Sequence, residues 1–183
     1  MFKLGLTGSI ATGKTTVLSA FARMGVPVAS ADEIVHELYA DEAVGPVEAA
    51  FPGVVREGAI DRGLLMARIL DRPEALARLE AIVHPMVRAR IAAFLDRAEA
   101  SGAALAVVDV PLLFESGHAY GFDAVAVTVC DETTQRRRAL ARPGMTVEKL
   151  DAILARQMPQ AEKRARAAYV FDTTGPLRHT EEM

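Results

Sequence analysis

The chain has 183 residues, 51% of them hydrophobic and 25% charged, with a formal net charge of −3. That length suits one domain, or one domain with an insertion, and the apolar content excludes a disordered or fibrous chain. The negative balance argues against a general nucleic-acid binder, and no apolar run reaches the roughly 18 residues of a membrane span. The start lacks a basic segment followed by an uninterrupted apolar stretch, so no signal peptide is expected. One cysteine, Cys130, has no second thiol to pair with, which points to a reducing compartment, the cytoplasm.

The first element is an apolar strand, FKLGLT at 2–7. A polar stretch, GSIATGKTT, follows it. Then comes VLSAFARMG, where Val17, Leu18, Phe21 and Met24 recur at helical spacing and Gly25 is placed to cap the C-terminus. Gly8-x4-Gly13-Lys14-Thr15 fits G-x-x-x-x-G-K-[ST], the P-loop pattern, in its required strand–loop–helix context. The glycines permit backbone dihedrals that turn successive N–H groups inward around phosphate oxygens. Those N–H groups open a helix, whose N-terminus carries partial positive charge. Lys14 adds a point charge for the β- and γ-phosphates, and the Thr15 hydroxyl is placed for Mg²⁺. The expected nucleotide-binding set is Gly8, Ala11, Thr12, Gly13, Lys14, Thr15 and Thr16.

A second strand, VPVAS at 26–30, precedes Asp32. At the carboxyl end of that strand a carboxylate faces the ligand edge of an open α/β sheet, where it can orient an acceptor hydroxyl and take its proton. Asp32 also reads as the N-cap of a helix at 33–40, and the two roles are compatible. Residues 32–101 then hold several helical segments and no convincing strand, which is long for one crossover and reads as a helical insertion. Leu76, Leu79, Ile82 and Val83 form an apolar stripe that Pro85 is expected to end. Val87, Ile91, Phe94 and Leu95 form the next, closed near Gly102.

ALAVVDV at 104–110 and AVAVTVC at 124–130 are almost continuously apolar, the pattern of strands buried on both faces of a parallel sheet. Asp109 ends the first of them and is a candidate to hold Mg²⁺ directly or through water; a polar strand terminus is the other reading. Cys130 reads as a small buried residue. Asp131 and Thr146 stand where N-caps would open two helices. The run RRR at 136–138, with Arg142, is placed on the first of these, Arg138 and Arg142 sharing a face. Guanidinium forks match the spread charge of a transferring phosphoryl group, and Pro143–Gly144 supplies a hinge. YVFD at 169–172 is the fifth strand.

Strands alternating with helices predict an α/β fold with a five-stranded, mainly parallel sheet. The expected organisation is a nucleotide-binding core of residues 1–31 and 102–183, a lid at about 131–160, and a helical acceptor subdomain at 32–101. No N/T-K-x-D guanine motif is present, and DTTG at 172–175 lies too late to serve a GTP switch. A small-molecule kinase remains. A nucleoside monophosphate kinase and a non-catalytic nucleotide-binding module are the alternatives.

LTGSIATGKTT, ASADEIVHEL, LEAIVHP, VVDVPLLFE, RQMPQAEKRARA and YVFDTTG, in that order, resemble the dephospho-coenzyme A kinase family. The resemblance spans nearly the whole chain. It implies a P-loop kinase core, a helical coenzyme A domain, a lid, and transfer from ATP, with Mg²⁺, to dephospho-coenzyme A in the last step of coenzyme A synthesis. It places the catalytic aspartate on Asp32, the charge-stabilising arginine on Arg138 and an ATP contact on Arg142; Lys14, from the P-loop, is expected to join Arg138 in neutralising the developing charge and so counts as catalytic too. It further implies an acceptor site bordered by His84 and by Pro111, Leu112, Leu113 and Glu115. Only small-molecule partners are expected, neither nucleic acid nor membrane, in a monomer or small homo-oligomer. Ser30 stands where the family often has aspartate; Ala168, Phe171 and Thr173 replace its usual Asp, Ile and Asn. The chain ends eight residues past Gly175, where relatives run on into a last helix.

Overall fold

The computed structural model describes residues 1–175; the end of the expected core, 176–183, and any closing helix there lie outside the described residues. In chain order the elements are β1 (Phe2–Gly8), α1 (Lys14–Arg23), β2 (Val28–Ser30), α2 (Ala31–Leu38), α3 (Val44–Ala50), β3 (Val55–Arg56), β4 (Ala59–Ile60), α4 (Arg62–Ile69) and α5 (Pro73–Ala100). Then follow β5 (Leu105–Asp109), α6 (Leu113–Ser116), β6 (Ala124–Val129), α7 (Glu132–Leu140), α8 (Val147–Arg156), α9 (Gln160–Arg166) and β7 (Tyr169–Asp172). The chain divides into two compact units, one of Met1–Ser30 with the chain from Leu95 onward, the other of Ala31–Phe94.

The first unit is built on a five-stranded sheet in the order β2-β5-β1-β6-β7, each neighbouring pair parallel. The apolar runs become its strands because β5 and β6 are covered on both faces: Ala106, Val107, Val108, Ala126 and Val127 are fully buried. Leu4, Leu6, Val17, Val107 and Ala126 form the core against which Leu18 and Phe21 of α1 pack. Phe21 meets Phe171 of β7 edge to face at 5.9 Å. From β1 the chain runs to β2 on one side of the sheet, whereas from β5, beside β1, it crosses to β6 on the other side. That reversal of direction opens a crevice at the carboxyl end of β1, the standard ligand position of such sheets.

The second unit holds α2, α3, α4, a small hairpin and α5 as far as Phe94. Two sequence expectations fail here. The region contains strands after all: β3 and β4 pair antiparallel through Glu57–Gly58, both at positive φ (50° and 81°). Positive φ at both central residues is the tight hairpin turn whose twist matches the strands, and two-residue strands are too short to show a period. Pro85 does not end a helix either. It lies inside α5, which runs unbroken for 28 residues. Its missing N–H and ring clash cost about 3 kcal/mol in a helix interior. Two features offset this. Leu79, Val83, Val87, Ile91 and Leu95 continue one buried stripe through the proline without a change of register. Pro85 and Ala81, the residue whose carbonyl loses its donor, are both exposed, so water can reach that carbonyl.

Candidate active site

β1 ends at Gly8 and α1 begins at Lys14, so residues 9–13 make the whole connection. Two residues carry its reversal: Ala11 at φ 61° and Gly13 at φ 84°. Gly13 is the N-cap residue of α1, and its carbonyl accepts from the N–H groups of Thr16 (3.0 Å) and Val17 (3.2 Å). Helix α1 therefore starts with no side-chain cap on its first N–H groups. Those orphan donors and the helix dipole form an anion-binding terminus.

The loop is pinned from beneath by hydroxyls. Buried Thr12 donates from Oγ1 to the Ser9 carbonyl at 2.8 Å, and its Oγ1 lies 2.8 Å from Thr128 Oγ1 on β6. Gly8 is required by that contact: a β-carbon there would stand 2.2 Å from Thr128 Oγ1 and 2.7 Å from Thr12 Oγ1. Thr173, just past β7, is 3% exposed and donates from Oγ1 to the Thr12 carbonyl at 2.9 Å. A β-carbon on Gly13 would meet the same Thr173 hydroxyl at 3.0 Å.

Asp109 ends β5 between its register partners Leu6 on β1 and Ser30 on β2. Its buried carboxylate Oδ1 lies 3.4 Å from Lys14 Nζ. Arg138, in α7, is joined to the same centre by a fork. Its Nη2 donates to the Thr173 carbonyl at 2.8 Å and its Nη1 to Thr173 Oγ1 at 3.2 Å. Gly8, Ala11, Thr12, Gly13, Lys14, Asp109 and Arg138 are thus one connected assembly at the carboxyl edge of the sheet. Thr15 lies in the first turn of α1 with its residue exposed, and Thr16 follows it, half-buried. Neighbouring Cys130 is buried; burial pushes its thiol up in pKa, against the lowering field of Arg138.

A model of the dephospho-CoA kinase (CoaE) family matches residues 2–178 of this chain. The chain belongs to that family. A dephospho-CoA kinase of Rhodopseudomonas palustris is 58% identical over 177 residues, covering 97% of this chain and 89% of the relative. One from Rhizobium meliloti is 53% identical over 174 residues, covering 95% and 90%. Among solved structures, a dephospho-CoA kinase from Campylobacter jejuni superposes with a TM-score of 0.75 at 26% identity, covering 98% of this chain and 92% of that one. A shikimate kinase from Bacteroides thetaiotaomicron shares the fold at a TM-score of 0.52 and 18% identity, covering 99% and 94%.

The other residues that the dephospho-CoA kinase resemblance points to are placed as follows. Asp32 is exposed in the first turn of α2, two residues along the chain from Ser30. His84, expected at a helix end, is in the interior of α5. Arg142 does not share a helix with Arg138: α7 stops at Leu140, and Arg142 is exposed in the turn beyond. Pro111 and Leu112 form the turn after β5, where Leu112 takes φ 54° with its side chain exposed, a strained conformation for a bulky residue. Leu113 is buried at the head of α6.

Glu115 is committed to structure. Its Oε1 lies 2.8 Å from Lys163 Nζ and accepts from the Met158 N–H at 2.9 Å. Burial pushes the carboxyl up, but Lys163 and the backbone N–H more than offset it, so its pKa ends below the ordinary value of 4.5. Lys163 itself has no exposed side-chain surface. Sequence reasoning missed Lys163, Thr128 and Thr173. Lys163 and Thr173 lie in stretches that carry the family resemblance, RQMPQAEKRARA and YVFDTTG, but the resemblance assigns neither a role, and Thr128 lies in an apolar run with nothing to single it out.

Proposed function

We propose that the protein transfers the γ-phosphoryl group of ATP to the ribose 3′-hydroxyl of dephospho-coenzyme A. The observation that carries the acceptor is the family match across residues 2–178. The donor half is supported by the cradle at the end of β1. The hydroxyl oxygen attacks the γ-phosphorus, the bond from that phosphorus to the β–γ bridging oxygen breaks, and its electron pair stays on the bridging oxygen, which departs with ADP. Asp32 accepts the hydroxyl proton as general base. Lys14 and Arg138 neutralise charge on the phosphoryl oxygens; an arginine in this role is worth roughly 10³–10⁵ in rate. Thr173 uses two of the guanidinium nitrogens, and the group has five N–H donors in all.

Mg²⁺ fits the residues present. The Asp109 carboxylate and Thr15 hydroxyl are hard oxygen donors, and a phosphate-bound Mg²⁺ needs only one or two protein ligands. Among the described residues no group of three or more His, Cys, Asp or Glu side chains could hold a metal by itself. Those two residues would hold the ion, which would supply positive charge against the phosphates. Arg142 contacts ATP, and His84, Pro111, Leu112 and Leu113 border the acceptor. Glu115 contributes through the turn it anchors. No helix among the described residues is long and apolar enough to cross a membrane, in keeping with a cytoplasmic enzyme.

The deciding assay offers dephospho-coenzyme A, nucleoside monophosphates and shikimate separately with Mg-ATP. Turnover with dephospho-coenzyme A at least a hundredfold above the others is expected. Background rates with it would overturn the reading.

A further inference from the structure

One residue of the phosphate loop is held on both sides by glutamine side chains. The Ile10 N–H donates to Gln157 Oε1 at 3.0 Å, and the Ile10 carbonyl accepts from Gln135 Nε2 at 2.9 Å. Gln135 Oε1 in turn accepts from Gln160 Nε2 at 2.9 Å, and Gln160 Oε1 accepts from the Cys130 N–H at 3.0 Å. The backbone ends fix the polarity of this chain. An N–H can only donate and a carbonyl can only accept, so each amide has one allowed orientation. Gln135 is 4% exposed, in α7; Gln157 is the C-cap residue of α8; Gln160 opens α9.

An apolar contact backs the polar one. Ala11, the next loop residue, is buried with Ala139 of α7 and Leu150 of α8, with Ile10, Met145 and Leu154 packed around them. Ala11 is also the non-glycine residue at φ 61° within the loop. So the segment that turns the cradle is clamped between α7 and the α8–α9 junction, by bonds that span 125 and 147 residues of sequence.

We infer that Gln135 and Gln157 are positioning residues for phosphate binding: they hold Ile10, and through it the left-handed Ala11, in the conformation that aims the loop N–H groups at the nucleotide's phosphates. This rests on the nucleotide-binding reading of the loop, not on the identity of the acceptor. Removing the acceptor for the Ile10 N–H leaves a part-buried donor unpaired, and the loop relaxes toward other partners. The loss should then grow with the number of phosphates on the ligand.

The test is calorimetric titration of the full chain with Mg-ATP, Mg-ADP and adenosine. Gln157→Met, near-isosteric but with no amide oxygen, is expected to weaken ATP roughly tenfold, ADP less than ATP, and adenosine less than twofold. Gln135→Met should repeat the pattern and serves if the first variant does not fold. Equal losses for adenosine and ATP would mean general damage and overturn the inference, as would ATP affinity within twofold of wild type. A wild type that binds ATP but does not turn over dephospho-coenzyme A refutes the proposed acceptor and leaves this inference standing.

Discussion

The ion pair between Glu115 and Lys163 makes an asymmetric prediction. Lys163 has 0% of its side chain exposed and Glu115 has 18%, and Glu115 keeps a second partner, the Met158 N–H at 2.9 Å. Removing one member of a buried pair costs about 3–5 kcal/mol, because the other charge is left without compensation. Glu115→Gln strands the fully buried ammonium and should cost that full amount. Lys163→Met strands a carboxylate that still has a backbone donor and some solvent, and about 1–3 kcal/mol is expected. The double substitution leaves no stranded charge and should be more stable than Glu115→Gln alone, a coupling of roughly 2 kcal/mol or more. Urea denaturation at pH 7, followed by circular dichroism, measures all four proteins. With a slope of about 2 kcal/mol per molar, Glu115→Gln should lower the midpoint by roughly 2 M. The same pair sets a pH dependence. The folded pKa of Glu115 lies below 4.5, so its stabilisation is present above that value and is lost as pH falls through the folded pKa. Wild type and Glu115→Gln should therefore converge in stability at acid pH. Additive single costs, or a Lys163→Met that is worse than Glu115→Gln, would refute the argument.

Gly8→Ala places a methyl 2.2 Å from Thr128 Oγ1; the β1 end must shift, and ATP affinity by titration should fall at least tenfold, with about 1–3 kcal/mol lost in a melt. Thr173→Val keeps the volume and removes the hydroxyl that joins the Thr12 carbonyl to Arg138. Steady-state kinetics should show a several-fold higher KM for ATP and a lower kcat, alongside roughly 1–2 kcal/mol of lost stability; unchanged kinetics would confine Thr173 to folding. Asp32→Asn should lower kcat by about 10²–10⁴ with ATP affinity retained, whereas near-normal kcat with a lower melting temperature would mean Asp32 only supports the start of α2.

The strands β5 and β6 were the most legible, because burial on both faces of a parallel sheet leaves an almost continuous apolar run, whereas the edge strands β2 and β7 are short and only part-buried. The phosphate loop was legible as well. Its signature is local, Gly8 and Gly13 at fixed spacing between a strand end and a helix start, although the glutamines and threonines that hold the loop come from far along the chain. The N-caps Asp131 and Thr146 are local too, each accepting from an N–H three residues on. Pro85 shows where local reasoning fails. Helix propensity says stop, and the buried stripe on both sides of the proline, with an exposed carbonyl at Ala81, keeps α5 continuous.

What the tertiary structure alone decided is which polar side chains are structural. A glutamine on a helix looks the same in sequence whether it faces water or, like Gln135, the backbone of a loop 125 residues away. Lys163 sits in a basic run, and only the fold hides it against Glu115. Thr173 departs from the family pattern, yet it ties the cradle to Arg138. Apolar burial follows a period along the chain, and hydrogen-bond partnership does not. A polar group is specified by whatever unpaired donor or acceptor the finished fold brings within 3 Å of it.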